Sequence, residues 1–162
     1  AGVEPLVLDA VEKRNQRQKE RMFDHITNKY GSDLNGLIFA VWGLSFKPGT
    51  DDMREAPSVV LINSLIKAGA RVQAFDPVAN EEAVKKFSKD WIPGKLTFFD
   101  DNYTALENSD ALVLMTEWKM FRNPILSKMK ELMKNLCIFD GRNQYDPDYM
   151  RKNGFEYKGI GR

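Results

Sequence analysis

Leu37-Ile38-Phe39-Ala40-Val41-Trp42 runs directly into Gly43-Leu44-Ser45-Phe46-Lys47-Pro48-Gly49-Thr50-Asp51-Asp52. Six apolar residues in a row, stopped by a glycine, describe a strand buried on both faces, because a strand with one wet face would alternate apolar and polar. Burial on both faces requires helices above and below it, and the flanking sequence supplies them. Glu55 to Ala68 is helical: Val59, Ile62 and Ile66, flanked by Leu61 and Leu65, form one broad apolar face, with Pro57 near the start and Gly69 just past the end. Arg71-Val72-Gln73-Ala74-Phe75 is the next strand, and Asp76-Pro77 ends it.

The alternation continues. A short helix is expected over Asn80 to Phe87, a weak strand at Leu96 to Phe99, a helix near Asn102 to Asn108 and a strong strand at Ala111 to Met115. Asn123 or Pro124 opens a helix whose face is Ile125, Met129, Leu132 and Met133. Leu136 to Phe139 is a strand, Asp146 to Lys152 a short helix and Phe155 to Tyr157 a last strand. Strands alternating with helices build right-handed β-α-β units. The expected fold is therefore α/β, a doubly wound, mostly parallel six-stranded sheet of Rossmann-like type, with the first and fourth strands side by side.

Ahead of the sheet lies a different kind of segment. Pro5 suits a first helical position and Gly31 with Asp33 marks a stop, so residues 5–30 read as one helix about 40 Å long. Its ends are apolar (Leu6, Val7, Leu8, Val11; then Met22, Phe23, Ile26, Tyr30), whereas Glu12 to Arg21 contains no apolar residue. A helix polar in its middle reads as a connector rather than a core element. The chain divides accordingly into residues 1–35, the long helix, and residues 36–162, the sheet domain.

Composition narrows the function classes. Lys plus Arg number 24 against 23 Asp plus Glu, which argues against binding dominated by nucleic-acid phosphates. No apolar run approaches the roughly 20 residues that cross a bilayer, and no leader pattern is present, so a cytoplasmic protein without a membrane partner is expected. The single cysteine, Cys137, excludes an internal disulfide and a clustered cysteine metal site; the single histidine, His25, excludes the usual zinc triads. No metal is expected.

In an open parallel sheet, ligands sit outside the carboxyl ends of the strands where the winding reverses. Three stretches fall there: residues 43–52, Thr116-Glu117-Trp118 and Asp140-Gly141-Arg142. Lys47 and Arg142 place cations at that edge, suited to a phosphate or diphosphate. Gly43-Leu44-Ser45-Phe46 is not the G-x-G-x-x-G turn that lets backbone press against a pyrophosphate, which weighs against a dinucleotide lying along this domain. Spacing leaves two readings of the loop. Either its side chains hold phosphate, or Phe46 packs a helix on the sheet and Lys47 is solvated.

Residues 43–58 resemble a signature of the UDP-glucose/GDP-mannose dehydrogenase family, closest to its UDP-glucose branch. So do Ala74-Phe75-Asp76-Pro77-Val78-Ala79, Thr116-Glu117-Trp118, and Asp140-Gly141-Arg142-Asn143 with Tyr145-Asp146-Pro147. Asn15 and Gln16-Arg17-Gln18-Lys19 resemble the end of the family's central, dimer-forming helix. The resemblance implies that residues 36–162 are a UDP-sugar-binding C-terminal domain and residues 1–35 the end of the connecting helix, through which the enzyme forms a homo-oligomer. It implies an oxidoreductase that converts UDP-glucose to UDP-glucuronate for polysaccharide synthesis, with two hydride transfers to NAD and a cysteine-bound intermediate. NAD and the catalytic cysteine would be held mainly by N-terminal and central domains preceding these residues, so this chain alone would be inactive. Phe46, Lys47 and Arg142 are the expected substrate contacts, with Lys47 reaching the sugar or the reaction centre, and Arg54 the expected reach toward NAD. Alternatives are a UDP-N-acetylhexosamine or GDP-mannose dehydrogenase domain, or a non-catalytic nucleotide-binding or oligomerisation module.

Several residues have plainer readings. Asp76 stands where dinucleotide domains place a ribose-binding acid, but an Asp-Pro turn capping the next helix is favoured. Trp118 is expected to pack under its loop, and Asp51 with Asp52 to stabilise the start of the next helix through its dipole. Arg54 could pair with its acidic neighbours. Cys137 lies inside an apolar strand, where a thiol is inert, and His25 has no partner nearby in sequence. The basic residues of the long helix, interleaved with Asn, Gln and Glu and free of aromatics, make a solvated or subunit-facing surface.

Overall fold

β1 (Ile38–Trp42) pairs in parallel with β2 (Arg71–Phe75) on one side and β4 (Ala111–Leu114) on the other. β3 (Leu96–Phe98) extends the sheet beyond β2, and β5 (Cys137–Asp140) and β6 (Glu156–Gly159) extend it beyond β4. The order is β3-β2-β1-β4-β5-β6 with every pair parallel, the doubly wound arrangement expected from the sequence. The computed structural model describes residues 6–162; the Pro5 start of the long helix lies outside the described residues.

Two cores flank the sheet, because alternate residues of each strand face opposite ways. Phe39, Val41, Val72 and Val113 face a layer built from Met22 and Ile26 of α1 (Leu6–Tyr30) and Leu61, Ile62 and Leu65 of α2 (Pro57–Lys67). Ala40, Trp42, Leu112 and Ile138 face the other side, where Met129 of α4 (Leu126–Leu132) and Met150 of α5 (Pro147–Lys152) pack with Phe121. Trp42 stacks on Phe121 with ring centroids 5.0 Å apart, and its indole N–H donates to the Asn102 carbonyl at 2.8 Å.

Four local expectations change. The C-terminal half of α1 is a core element: Met22 and Ile26 are buried, because the apolar positions after Glu20 fall on one face that α2 covers. The connector character survives only toward its start, where Val7, Leu8 and Val11 are exposed. α3 spans only Asn80–Val84. The expected helix at 102–108 is a single 3-10 turn, Thr104–Leu106, started by the Asp101 carboxylate accepting from the Thr104 N–H. Ile125 is exposed as the N-cap of α4 instead of belonging to its buried face.

Candidate functional site

The winding reverses between β1 and β4, so the loops after β1, β4 and β5 leave the sheet side by side at its carboxyl edge. Gly43 makes the first turn possible. Its φ is 86°, its N–H donates to the Phe75 carbonyl at 2.8 Å, and an added Cβ would lie 2.5 Å from the Cβ of Thr116. Only glycine fits both the backbone and the space. Thr116 in turn donates its hydroxyl to the Ser45 carbonyl at 2.7 Å, tying the loop after β4 to the loop after β1.

Two buried carboxylates organise this edge. Asp76 Oδ1 accepts from the Val78 and Ala79 N–H groups, forming the expected Asp-Pro turn. Its Oδ2 accepts from Leu44 N–H at 2.7 Å, Ser45 N–H at 3.1 Å, the Ser45 hydroxyl at 3.3 Å and the Trp118 indole at 3.1 Å. Asp140, wholly buried, accepts from the backbone of Arg142, Gln144 and Tyr145 and from the Tyr157 hydroxyl at 2.8 Å. The sequence reading gave Asp76 a smaller task and Asp140 none. The available signal was a carboxylate standing at the very end of a strand, directly after a buried phenylalanine, where charge is buried only if donors surround it.

Arg142 is the best-held cation. Its Nε donates to the Met115 carbonyl at 2.8 Å and its Nη2 to the Phe46 carbonyl at 3.4 Å. Glu117 Oε2 lies 3.1 Å from the same Nε, but that N–H is already committed, so the contact is one of charge. Buried, this oxygen has no donor among the described residues. Beside Arg142, the Phe46 side chain is exposed and Lys47 is exposed in the same turn, which closes by the Phe46 N–H donating to the Asp52 carbonyl at 2.8 Å. The expected contacts Phe46, Lys47 and Arg142 therefore lie on one edge.

Arg54 stands at the outer end of the same loop, exposed, and grips Asp52 through Nε at 3.0 Å and Nη2 at 2.9 Å. These hydrogen bonds, helped by Lys47, hold the Asp52 carboxyl down at about 2. This corrects the assignment of Asp52 to a helix start: α2 begins only at Pro57, and Asp52 serves Arg54. Cys137 opens β5 at the opposite edge of the sheet from Arg142, and burial pushes its thiol up to about 11. Burial, Lys158 and Arg21 lower the His25 imidazole on α1.

An open parallel sheet with cations at its switch point defines a nucleotide-binding α/β domain. Residues 40–147 match the UDP-glucose/GDP-mannose dehydrogenase family, UDP binding domain, and the chain belongs to that family. It is 47% identical over 161 residues to the UDP-glucose 6-dehydrogenase of Pseudomonas aeruginosa strain PAO1, covering 99% of this chain and 36% of that protein. It is 40% identical over 148 residues to the enzyme of the same name from Rhizobium meliloti, covering 91% and 32% respectively. Among solved structures, a UDP-glucose dehydrogenase from Pyrobaculum islandicum superposes with a TM-score of 0.76 at 25% identity, covering 98% of this chain and 33% of that one. An NDP-N-acetyl-D-galactosaminuronic acid dehydrogenase from Methanosarcina mazei gives 0.75 at 25% identity, covering 100% and 33%. The chain thus spans about a third of the length of these relatives.

NAD, the dinucleotide implied by the family, does not fit along this sheet in the usual way. Leu44, Ser45 and Phe46 occupy the turn a glycine fingerprint would leave open, and both Asp76 oxygens already serve protein donors.

Proposed function

We propose that this chain binds the UDP portion of a nucleotide sugar as the C-terminal part of a UDP-glucose 6-dehydrogenase, residues 36–162 forming the domain and residues 1–35 ending the helix that joins it to the rest. One observation supports this above the others: Arg142 is fixed by the Met115 and Phe46 carbonyls directly beside Lys47, while its Nη1 has no acceptor among the described residues. A guanidinium so oriented presents a planar pair of donors to a diphosphate oxygen, and an ammonium next to it adds point charge. The exposed Phe46 ring offers an apolar surface to the sugar or base.

In this reading Arg142 and Lys47 neutralise the diphosphate, Phe46 and Lys47 orient the sugar, and Arg54 faces NAD carried by another part of the enzyme. Oxidation to UDP-glucuronate would use a cysteine outside this domain. Cys137, protonated and on the wrong edge, takes no part. The exposed Val7, Leu8 and Val11 ridge of α1 is the surface through which the helix would meet other domains or a second copy.

Saturation-transfer NMR with UDP-glucose, UDP and glucose tests this proposal. Transfer to UDP and UDP-glucose but not to glucose is the expected pattern. Equal transfer to glucose, or none to UDP, would contradict it.

A further inference from the structure

Among the described residues, three non-glycine positions have positive φ: Asn108, Asn143 and Glu55, the last at 57°. Asparagine tolerates left-handed backbone; glutamate has no such local compensation, and a conformation of this kind persists only where the surroundings impose it. The Glu55 carboxylate reaches the Lys19 amine of α1, which holds that carboxyl below its usual value. Lys19 is no ordinary surface lysine, since its side chain is only 17% exposed although it lies in the polar stretch of the helix. On the other side of Glu55, Arg54 grips Asp52, and the Asp52 carbonyl accepts from Phe46 N–H. A continuous set of contacts therefore runs from α1 through Glu55 and Asp52 to Phe46, whose carbonyl receives Arg142.

We propose that Glu55 is a positioning residue: its latch to Lys19 fixes the 46–55 loop against α1 and so sets where Phe46 and Lys47 stand relative to Arg142. The latch makes ligand affinity depend on how α1 is held, and α1 extends past it with Val7, Leu8 and Val11 exposed to whatever seats on them. The proposal rests on the reading of this loop as the UDP site. An exposed ion pair alone is weak. Here the pair joins a strained backbone position of the loop to a lysine whose side chain is only 17% exposed.

Two variants separate the latch from an ordinary turn. Glu55→Gly removes the carboxylate and accepts the left-handed backbone without strain; Lys19→Met removes the partner and leaves the backbone untouched. Hydrogen exchange of residues 46–55 without ligand, melting temperature and calorimetric UDP affinity are measured for each. Both variants are expected to speed exchange in the loop and to weaken UDP binding by about threefold. Glu55→Gly should do so with an unchanged or higher melting temperature, a split that a merely structural role would not give. Faster exchange in Glu55→Gly alone overturns the proposal, since glycine loosens any turn; so does unchanged exchange in both. If the parent chain fails to bind UDP while both variants still speed exchange, the latch stands and the UDP reading falls.

Discussion

Arg142 donates through Nη2 to the carbonyl oxygen of Phe46, a residue 96 positions earlier, at 3.4 Å. The contact joins the loops after β1 and β5 across the intervening strand β4, whose Met115 carbonyl takes the Nε donor of the same guanidinium. Removing Arg142 therefore deletes a charge for the ligand and a brace for the loop. Arg142→Ala should cost about 1.5–3 kcal/mol of UDP binding, roughly ten- to a hundredfold in affinity. Lys47→Ala, whose side chain makes no hydrogen bond or ion pair among the described residues, should weaken binding without lowering the melting temperature. Calorimetry paired with thermal denaturation checks both.

Asp76 is the residue whose loss should damage the fold most at this edge. Truncation to Ala leaves five donors without their acceptor: the N–H groups of Leu44, Ser45, Val78 and Ala79 and the Trp118 indole, while the Ser45 hydroxyl keeps the Lys47 carbonyl. Each buried donor left unpaired is costly, so Asp76→Ala should lose more than about 3 kcal/mol in urea unfolding. Asp76→Asn, which turns an N–H toward other N–H groups, should lose a comparable amount. A ribose-binding acid would instead lose ligand affinity at full stability.

Much of the sheet is legible in the sequence because parallel strands are buried on both faces and so read as unbroken apolar runs; β1, β4 and β5 are such runs. Their order follows from the handedness of β-α-β crossovers. The positions of Phe46, Lys47 and Arg142 on one edge follow from the same rule. What was not legible is set by contacts distant in the chain. Met22 and Ile26 join the core only because α2 arrives beneath them. The helix expected at 102–108 is the exception, since it yields to a local side-chain bond between Asp101 and Thr104. Glu55 carries no local signal of its left-handed backbone, and its ion-pair partner Lys19 lies 36 residues away in the chain.

Gly43→Ala should be poorly tolerated. The new Cβ would meet both the Cβ and the backbone nitrogen of Thr116, and the φ of 86° is one that residues with a side chain rarely adopt. A loss of about 3 kcal/mol or failure to fold is expected, read by circular dichroism and urea titration. Gly49→Ala makes a useful control, because its φ is also positive but nothing lies within 4 Å of the added Cβ.

Alkaline pH should destabilise the fold through Cys137. Its thiol titrates near 11 in the folded chain against 9.0 ordinarily, so the unfolded state loses its proton first. Stability from this group is complete below pH 9.0 and is lost as pH rises toward about 11, by about 2–3 kcal/mol. Burial pushes Tyr30, Tyr145 and Tyr157 the same way. Cys137→Ala should therefore flatten the slope of stability against pH between these limits without abolishing it, as measured by urea midpoints at stepped pH.

Isothermal titration of this chain with UDP, and separately with NAD, bears most directly on the account. One binding site for UDP, weakened in Lys47→Ala and Arg142→Ala, with no comparable heat from NAD, is the predicted result. NAD binding as tight as UDP, or UDP binding indifferent to both substitutions, would contradict it.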